Sequence, residues 1–412
     1  MKNKFNNPFV SLRHSNFRYY LIGMCVSLIG TWMQNIAQPW LAYSLTNSPL
    51  LLSLVGAMQF LPMLIFSLFA GVVIDRFSKK KILILTQFAS LVITLGLAIL
   101  VWTGQVQYWH ILIASLSIGF VNTLDMPARQ SFVVELVGKE DLMNAIALNS
   151  TVFNVARIIG PALAGITMGY LGIAACFFIN SISFAAVIIG LFFVKPIPLQ
   201  STIKIVDNVF ANIKDGLKYV KNNSLLLKTI STTFITGIFA MNFGVLVPVF
   251  STVVLHQQEA GFGFLMSLMG IGSFLGAMSI AIMSKRGPKK YIMKLFPFFI
   301  AISLILTGLT NSYIATAIGI AATGFFFVSF SSTANSLVQF NTDDEYRGRV
   351  MSVYTLVFGG SVPIGNIFAG FITNHFGPSV GFISCGVMII LLLLLLYIWK
   401  SNISNYLKLS RS

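Results

Sequence analysis

The chain has 412 residues, 56% of them hydrophobic and only 9% charged. Soluble domains carry roughly 25% charged residues, so this composition excludes one and indicates a polytopic membrane protein. The formal charge of +16 would suit a nucleic-acid binder if it were gathered on one domain. Instead, in a twelve-span reading, every one of the 27 Lys and Arg except Arg157 falls in segments assigned to one side of the membrane. That is the positive-inside asymmetry. It implies a lipid bilayer as partner and no nucleic acid.

Apolar runs occupy approximately 17–45, 50–74, 80–103, 108–128, 141–168, 171–194, 223–250, 260–283, 289–310, 312–335, 346–374 and 377–400. Each supplies the ~20 apolar residues that cross a bilayer as a helix, and the alternation of barrel strands is absent. The first run, from Phe17, is too long for a signal peptide and lacks a small-residue cleavage site, so it reads as a retained span. Both termini are then cytoplasmic. The longest polar interval, 195–222, holds Pro196 and Pro198, then Val209, Phe210, Ile213, Leu217 and Val220 at helical spacing. This pattern predicts an amphipathic helix on the cytoplasmic membrane face. The interval divides the chain into a six-helix bundle at 1–194, a linker at 195–222 and a second bundle at 223–412. The halves repeat: Pro39 matches Pro248, Pro161 matches Pro363, and Ala164-Gly165 matches Ala369-Gly370. The expected fold is all-α, with twelve transmembrane helices as two bundles related by a pseudo-two-fold, the parallel-repeat plan of some secondary transporters.

Polar side chains within the spans are few. Gln34 and Gln38 lie four apart on one face of the first helix, with Asn35 beside them. Gln59, Asn122, Asn149, Asn154, Asn242, Asn335 and Asn366 extend the set over six further helices. Together they predict a wet central cavity, with Trp32, Trp40, Phe239, Phe243 and Tyr354 as its aromatic wall; any one of the amides alone serves equally as glue between helices. Between the second and third spans lies a basic knot, Gly71-Val-Val-Ile-Asp75-Arg76-Phe-Ser-Lys79-Lys80-Lys81. A weaker basic loop at 285–290 occupies the equivalent place in the second half and lacks the Asp. Asp125 and Arg129 sit four apart around Pro127, which is expected to kink or end the fourth helix. They read either as a gate pair that exchanges partners with Asp75 or as a static ion pair.

Arg157 lies roughly 24 Å along the fifth helix from Asp141, at ~1.5 Å per residue across a core of ~30 Å. None of the eleven Asp and Glu occupies the middle of a span. A cation there costs about 2.5–3.5 kcal/mol on insertion scales, so it faces a cavity or a partner. The partner is either an anionic group on the cargo, or Asn154, Gln34 and helix carbonyls. Gly160, Pro161 and Gly165 make the same helix bendable and closely packed, and Pro363 and Gly370 repeat the device in the eleventh helix. Thr342-Asp-Asp-Glu345 predicts a capping box opening that helix, with Arg347 just beyond it. Cys25, Cys176, Cys385 and the four His stand apart without ligand spacing, so no metal is expected. No phosphate-binding Gly-x-x-x-x-Gly-Lys loop occurs, so no nucleotide or other cofactor is expected either.

The pattern from Gly71 through Asp75 and Arg76 to Lys80 resembles the signature loop of the major facilitator superfamily. Trp32-Met-Gln34 through Thr46, Asp125-Met-Pro-Ala-Arg129, Asn154-Val-Ala-Arg157-Ile-Ile-Gly160-Pro161 and Glu345-Tyr-Arg347-Gly348-Arg349 are similar to bacterial efflux proteins of the enterobactin-exporter and macrolide-efflux type, and the likeness covers nearly the whole chain. The resemblance implies a monomeric secondary transporter of the bacterial inner membrane, exporting a small amphipathic molecule by alternating access with protons as coupling ion. Its cargo would meet Gln34, Asn35, Gln38, Gln59, Asn154, Arg157, Asn242 and Asn366. Gly71, Asp75, Arg76, Lys80, Asp125, Arg129 and Arg347 would gate and couple, with Asp75 as a cytoplasmic latch. The lack of a mid-span carboxylate departs from many proton antiporters and leaves Asp75, Asp125 or an outer His as the proton carrier. A siderophore or a lysophospholipid suits Arg157; a neutral or cationic drug does not. A transport-incompetent sensor would need a soluble signalling domain, and an enzyme a nucleophile with its base; neither is visible in the sequence.

Overall fold

A computed structural model describes residues 9–196, 209–283 and 287–409, without the side chains of 68, 69, 72, 75, 209–212 and 399–409. All regular structure in it is helical. A single 3-10 turn, Val10–Arg13, precedes α1 (Ser15–Thr46), α2 (Pro49–Arg76), α3 (Lys79–Trp102), α4 (Tyr108–Val137), α5 (Leu142–Leu171) and α6 (Ile173–Phe193). Then follow α7 (Val209–Asn222), α8 (Ser224–Ala240), α9 (Phe243–Val253), α10 (Glu259–Met283), α11 (Lys290–Leu309), α12 (Tyr313–Phe340), α13 (Asp344–Phe376) and α14 (Pro378–Leu409). Among the described residues, 12 segments are long and apolar enough to cross a membrane, with α8 and α9 counted as one. The backbone of a span must satisfy itself in lipid, so helices form wherever the chain is apolar over this length.

The connections are tight. α5 reverses into α6 at Gly172 (φ 81) and α13 into α14 at Gly377 (φ 86). Both adopt the left-handed backbone that only glycine takes without strain, and they occupy the same place in the two halves.

Three details differ from the sequence expectations. Pro127 neither ends nor divides α4, which runs on to Val137; spans tolerate proline where neighbouring helices re-satisfy the freed backbone groups. The seventh run is interrupted at Met241 and Asn242, between α8 and α9. The capping box before α13 does not form. The Thr342 hydroxyl donates back to the Val338 carbonyl at 2.6 Å, and Asp343 stands at the N-cap without a side-chain cap bond.

The chain resolves into two compact units. The first holds residues 1–47, 58–209 and 257–267; the second holds 48–57, 210–256 and 268–412. Each is thus one half of the sequence plus a short helical start borrowed from the other. In the first unit α1 packs against α5 and α6, and α3 against α4 and α6, around a core that includes Phe17, Tyr20, Leu83, Phe132 and Leu191. In the second, α11 packs against α12 and α14, and α13 against α8.

Candidate functional site

Three polar clusters lie within the first unit. The first uses the amides of α1. Gln34 Nε2 donates to Gln38 Oε1 at 3.1 Å, and Gln38 Nε2 donates to Ser115 Oγ at 2.6 Å. Gln34 Oε1 accepts from Thr94 Oγ1 at 3.1 Å and from Asn180 Nδ2 at 2.6 Å. Both glutamines are 6% exposed. Buried amides without partners would each cost about 1–3 kcal/mol, and here four helices share the bonds. Gln34 and Gln38 therefore tie α1 to α3, α4 and α6. Asn180, which completes the network, escaped the sequence reading because its partner lies 146 residues away. Asn35, on the other side of α1, is exposed, and Gln59 on α2 is half-buried.

The second cluster centres on Asp125, 6% exposed. Its Oδ1 accepts from Thr86 Oγ1 at 2.7 Å and from Gln87 Nε2 at 2.9 Å. Its Oδ2 accepts from Arg129 Nε one helical turn on, while the other end of that guanidinium lies against the Met24 sulfur. The pair is thus buried, with hydrogen bonds from α3 and contacts from α1 around it, a far costlier environment than a surface ion pair. The basic knot nearby is also engaged. Lys80 Nζ donates to the Val194 carbonyl at 2.7 Å, at the C-terminal end of α6 where a cation is favoured. Lys79 pairs with Glu135 at 2.9 Å. Gly71 and Arg76 are exposed. The Asp75 side chain and residues 284–286 of the second basic loop lie outside the described residues, so the latch assigned to Asp75 has no geometry here.

The third cluster surrounds Arg157, the sixteenth of the 30 residues of α5 and so at its midpoint. Among the described residues its one hydrogen bond is from Nη2 to Asn154 Oδ1, at 3.0 Å. Nε is buried and has no partner. Asn154 is itself held by its Nδ2 on the Ser150 carbonyl at 2.8 Å. The Arg157 guanidinium carbon stands 6.0 Å from the Phe153 ring, and Phe153 meets Trp32 edge-on at 5.7 Å. Gly160, one turn on, faces the Cβ of Trp32 so closely that any side chain there would overlap it. The result is a polar and aromatic patch on the α1–α5 face, with a five-donor cation that is almost unused.

Toward the other end of α5, the start of α10 crosses it backbone to backbone. A Cβ on Gly263 would lie 2.5 Å from the Pro161 carbonyl and 2.8 Å from the Gly165 Cα. Ser267 Oγ donates to the Ile158 carbonyl at 2.6 Å. Trp40 Nε1 donates to Glu259 Oε1 at 3.2 Å, and the Trp40 ring stacks on Phe262 at 5.5 Å. Glu259 was missed in the sequence, although it is the one acid in a segment without Lys or Arg.

In the second unit Asn242, 1% exposed, fills the break between α8 and α9. Its Nδ2 donates to the Ile238 carbonyl at 2.8 Å and its Oδ1 is buried without a partner. Asn366 on α13 is buried beside Gly56 of α2. Pro363 is buried in α13, and Gly370 packs on Ser53 and on the Pro49 carbonyl, as Gly165 packs on the start of α10. Of the expected aromatic wall, Trp40, Phe239, Phe243 and Tyr354 are buried and Trp32 is half-exposed. Arg347 pairs with Asp344 on its own helix at 2.5 Å. Among the described residues no group of three or more His, Cys, Asp or Glu could hold a metal ion.

A family model described as transmembrane secretion effector matches residues 6–408. The chain belongs to that family. It is similar to the staphyloferrin A transporter of Staphylococcus aureus, at 23% identity over 92% of this chain and 95% of that one. It is also similar to the multidrug efflux pump Tap of Mycolicibacterium fortuitum, at 22% over 88% and 90%, and to macrolide efflux protein A of Streptococcus pyogenes, at 22% over 90% and 93%. Among solved structures, a bacterial homologue of the human lysosomal transporter Spinster, inward-facing and occupied, superposes with a TM-score of 0.72 at 12% identity, over 94% of this chain and 96% of that one. The nucleoside transporter NupG gives 0.70 at 13%, over 94% and 97%. These likenesses establish the fold. By its family match the chain is a multi-pass membrane efflux transporter of the major facilitator type and not an enzyme.

Proposed function

We propose that this transporter exports a small amphipathic anion of the siderophore class across the bacterial cytoplasmic membrane, by alternating access and in exchange for protons, as a monomer with both termini inside. The observation that carries this reading is the state of Arg157. A cation at the middle of a span costs at least ~2.5 kcal/mol. One hydrogen bond to the Asn154 amide oxygen, worth about 1–2 kcal/mol in a membrane, does not offset it. A carboxylate or catecholate on the cargo supplies the missing charge and a partner for Nε, while Phe153 and Trp32 receive its apolar part. Asn35, at the exposed side of α1, is the remaining amide of that helix able to meet the cargo. A neutral macrolide would use the aromatic rings and leave Arg157 as it is; a lysophospholipid would satisfy it and is the closest rival.

In this reading Asp125 and Arg129 form the buried pair that responds to protonation, and Asp75 and Arg347 act at the cytoplasmic edge.

The test is comparative metabolite profiling of the medium from deletion and wild-type cells, iron-limited and iron-replete. A siderophore that disappears only from the deletion strain, and returns with wild-type protein but not with Arg157→Ala, is the expected result. Unchanged media together with sensitisation to a macrolide would overturn it in favour of a drug pump.

A further inference from the structure

The helix between the two halves presents one exposed stripe that neither the fold nor the export reading employs. Around α7, at ~100° per residue, Asp215, Gly216, Tyr219 and Val220 fall within one arc, and that arc is docked. Gly216 lies against the Arg349 backbone, Tyr219 stacks on Tyr346 at 4.7 Å and donates its hydroxyl to Asp343 at 2.9 Å, and Asp215 pairs with Arg349 at 3.4 Å. Val220 is 3% exposed. The opposite arc holds Lys214, Leu217, Lys218 and Lys221, at positions i, i+3, i+4 and i+7, and all four are exposed. Among the described residues none of the three lysines is paired with a carboxylate. Leu217, in the middle of them, leaves 51% of its surface uncovered. α7 ends at Asn222, and the span that begins with α8 starts at Ser224, so the stripe ends at the membrane boundary.

We infer that this stripe is a docking surface for anionic lipid headgroups of the adjoining leaflet, with the three ammonium groups on phosphate and Leu217 inserted among the acyl chains. A row of Lys flanking one apolar side chain fits a negatively charged interface, where each Lys is attracted and the leucine leaves water. The docked arc holds the first turns of α13, so lipid that orders α7 also orders the start of that span. The inference is independent of what the transporter exports.

The experiment places a reporter on the stripe. Full-length Leu217→Trp is reconstituted into vesicles of equal parts phosphatidylethanolamine and phosphatidylglycerol, with one or the other lipid brominated in its acyl chains. Quenching in excess of the wild-type protein is measured. Brominated phosphatidylglycerol is expected to quench the new tryptophan several-fold more than brominated phosphatidylethanolamine. The preference should vanish in K214Q/K218Q/K221Q and persist in K214R/K218R/K221R, which keeps the charge and controls for folding. Equal quenching by both lipids, absence of quenching, or a preference that survives the glutamine variant would each overturn the inference.

Discussion

The indole N–H of Trp40 on α1 donates to the carboxylate of Glu259 at the first turn of α10. The bond joins the end of one helix to the start of another 219 residues away, at the place where α10 also crosses the α5 backbone. It needs an acceptor and not a charge, since an indole is a donor only. Glu259→Gln is therefore expected to transport at close to the wild-type rate and Glu259→Leu to fall well below it. The check is cargo efflux from cells expressing each variant at matched levels; an inactive Glu259→Gln would show that the carboxylate itself is used.

The crossing at Gly263 admits no side chain. A methyl there meets the Pro161 carbonyl at 2.5 Å, and backbone cannot give way as a flexible side chain would. Overpacking of this kind costs about 1–3 kcal/mol. Gly263→Ala should lower the thermal unfolding midpoint of the detergent-solubilised protein and reduce efflux, whereas alanine at Gly96 of α3, which has open space around it, should change neither.

The amide network predicts a different phenotype for Gln34. Gln34→Ala removes the acceptor of both Asn180 and Thr94, and the orphaned groups cost about 1–3 kcal/mol. Lower thermal stability with an unaltered ranking of cargoes is the expected outcome. A changed cargo preference without loss of stability would return Gln34 to the transport path.

The Asp125–Arg129 pair is tested by comparing single and double replacements. Removing one partner leaves a buried charge and costs about 3–5 kcal/mol, while apolar replacement of both is often neutral. Asp125→Leu and Arg129→Met should each reduce the yield of folded protein, and the double variant should recover it. If the pair also couples transport to protons, the recovered double variant will be folded and inactive; a folded and fully active one would make it a structural pair alone.

Sequence periodicity disclosed the spans and the repeat, because lipid imposes a uniform demand on every crossing segment. It also exposed Arg157, since one cation amid apolar residues needs no partner to be noticed, and the four-residue spacing of Asp125 and Arg129. It could not say which polar residues meet each other. Gln34 looks the same in the sequence whether it faces water or Asn180, and only the packing of α1 on α6 decides. Local signals misled where a nearer partner won: the Thr342 hydroxyl turns back to Val338, and α4 continues through Pro127. At the break at Asn242 the local signal is Gly244, two residues on, and glycines are too frequent in these spans for it to stand out.

The most direct test of the export reading is efflux of an anionic siderophore from cells carrying Arg157→Ala, Arg157→Lys or wild-type protein, each confirmed as folded in the membrane. A charge-assisted hydrogen bond contributes about 1.5–3 kcal/mol, so Arg157→Ala should lose roughly ten- to hundredfold in efflux and Arg157→Lys less, because it keeps the charge without the planar donor fork. Wild-type efflux by Arg157→Ala would contradict the account.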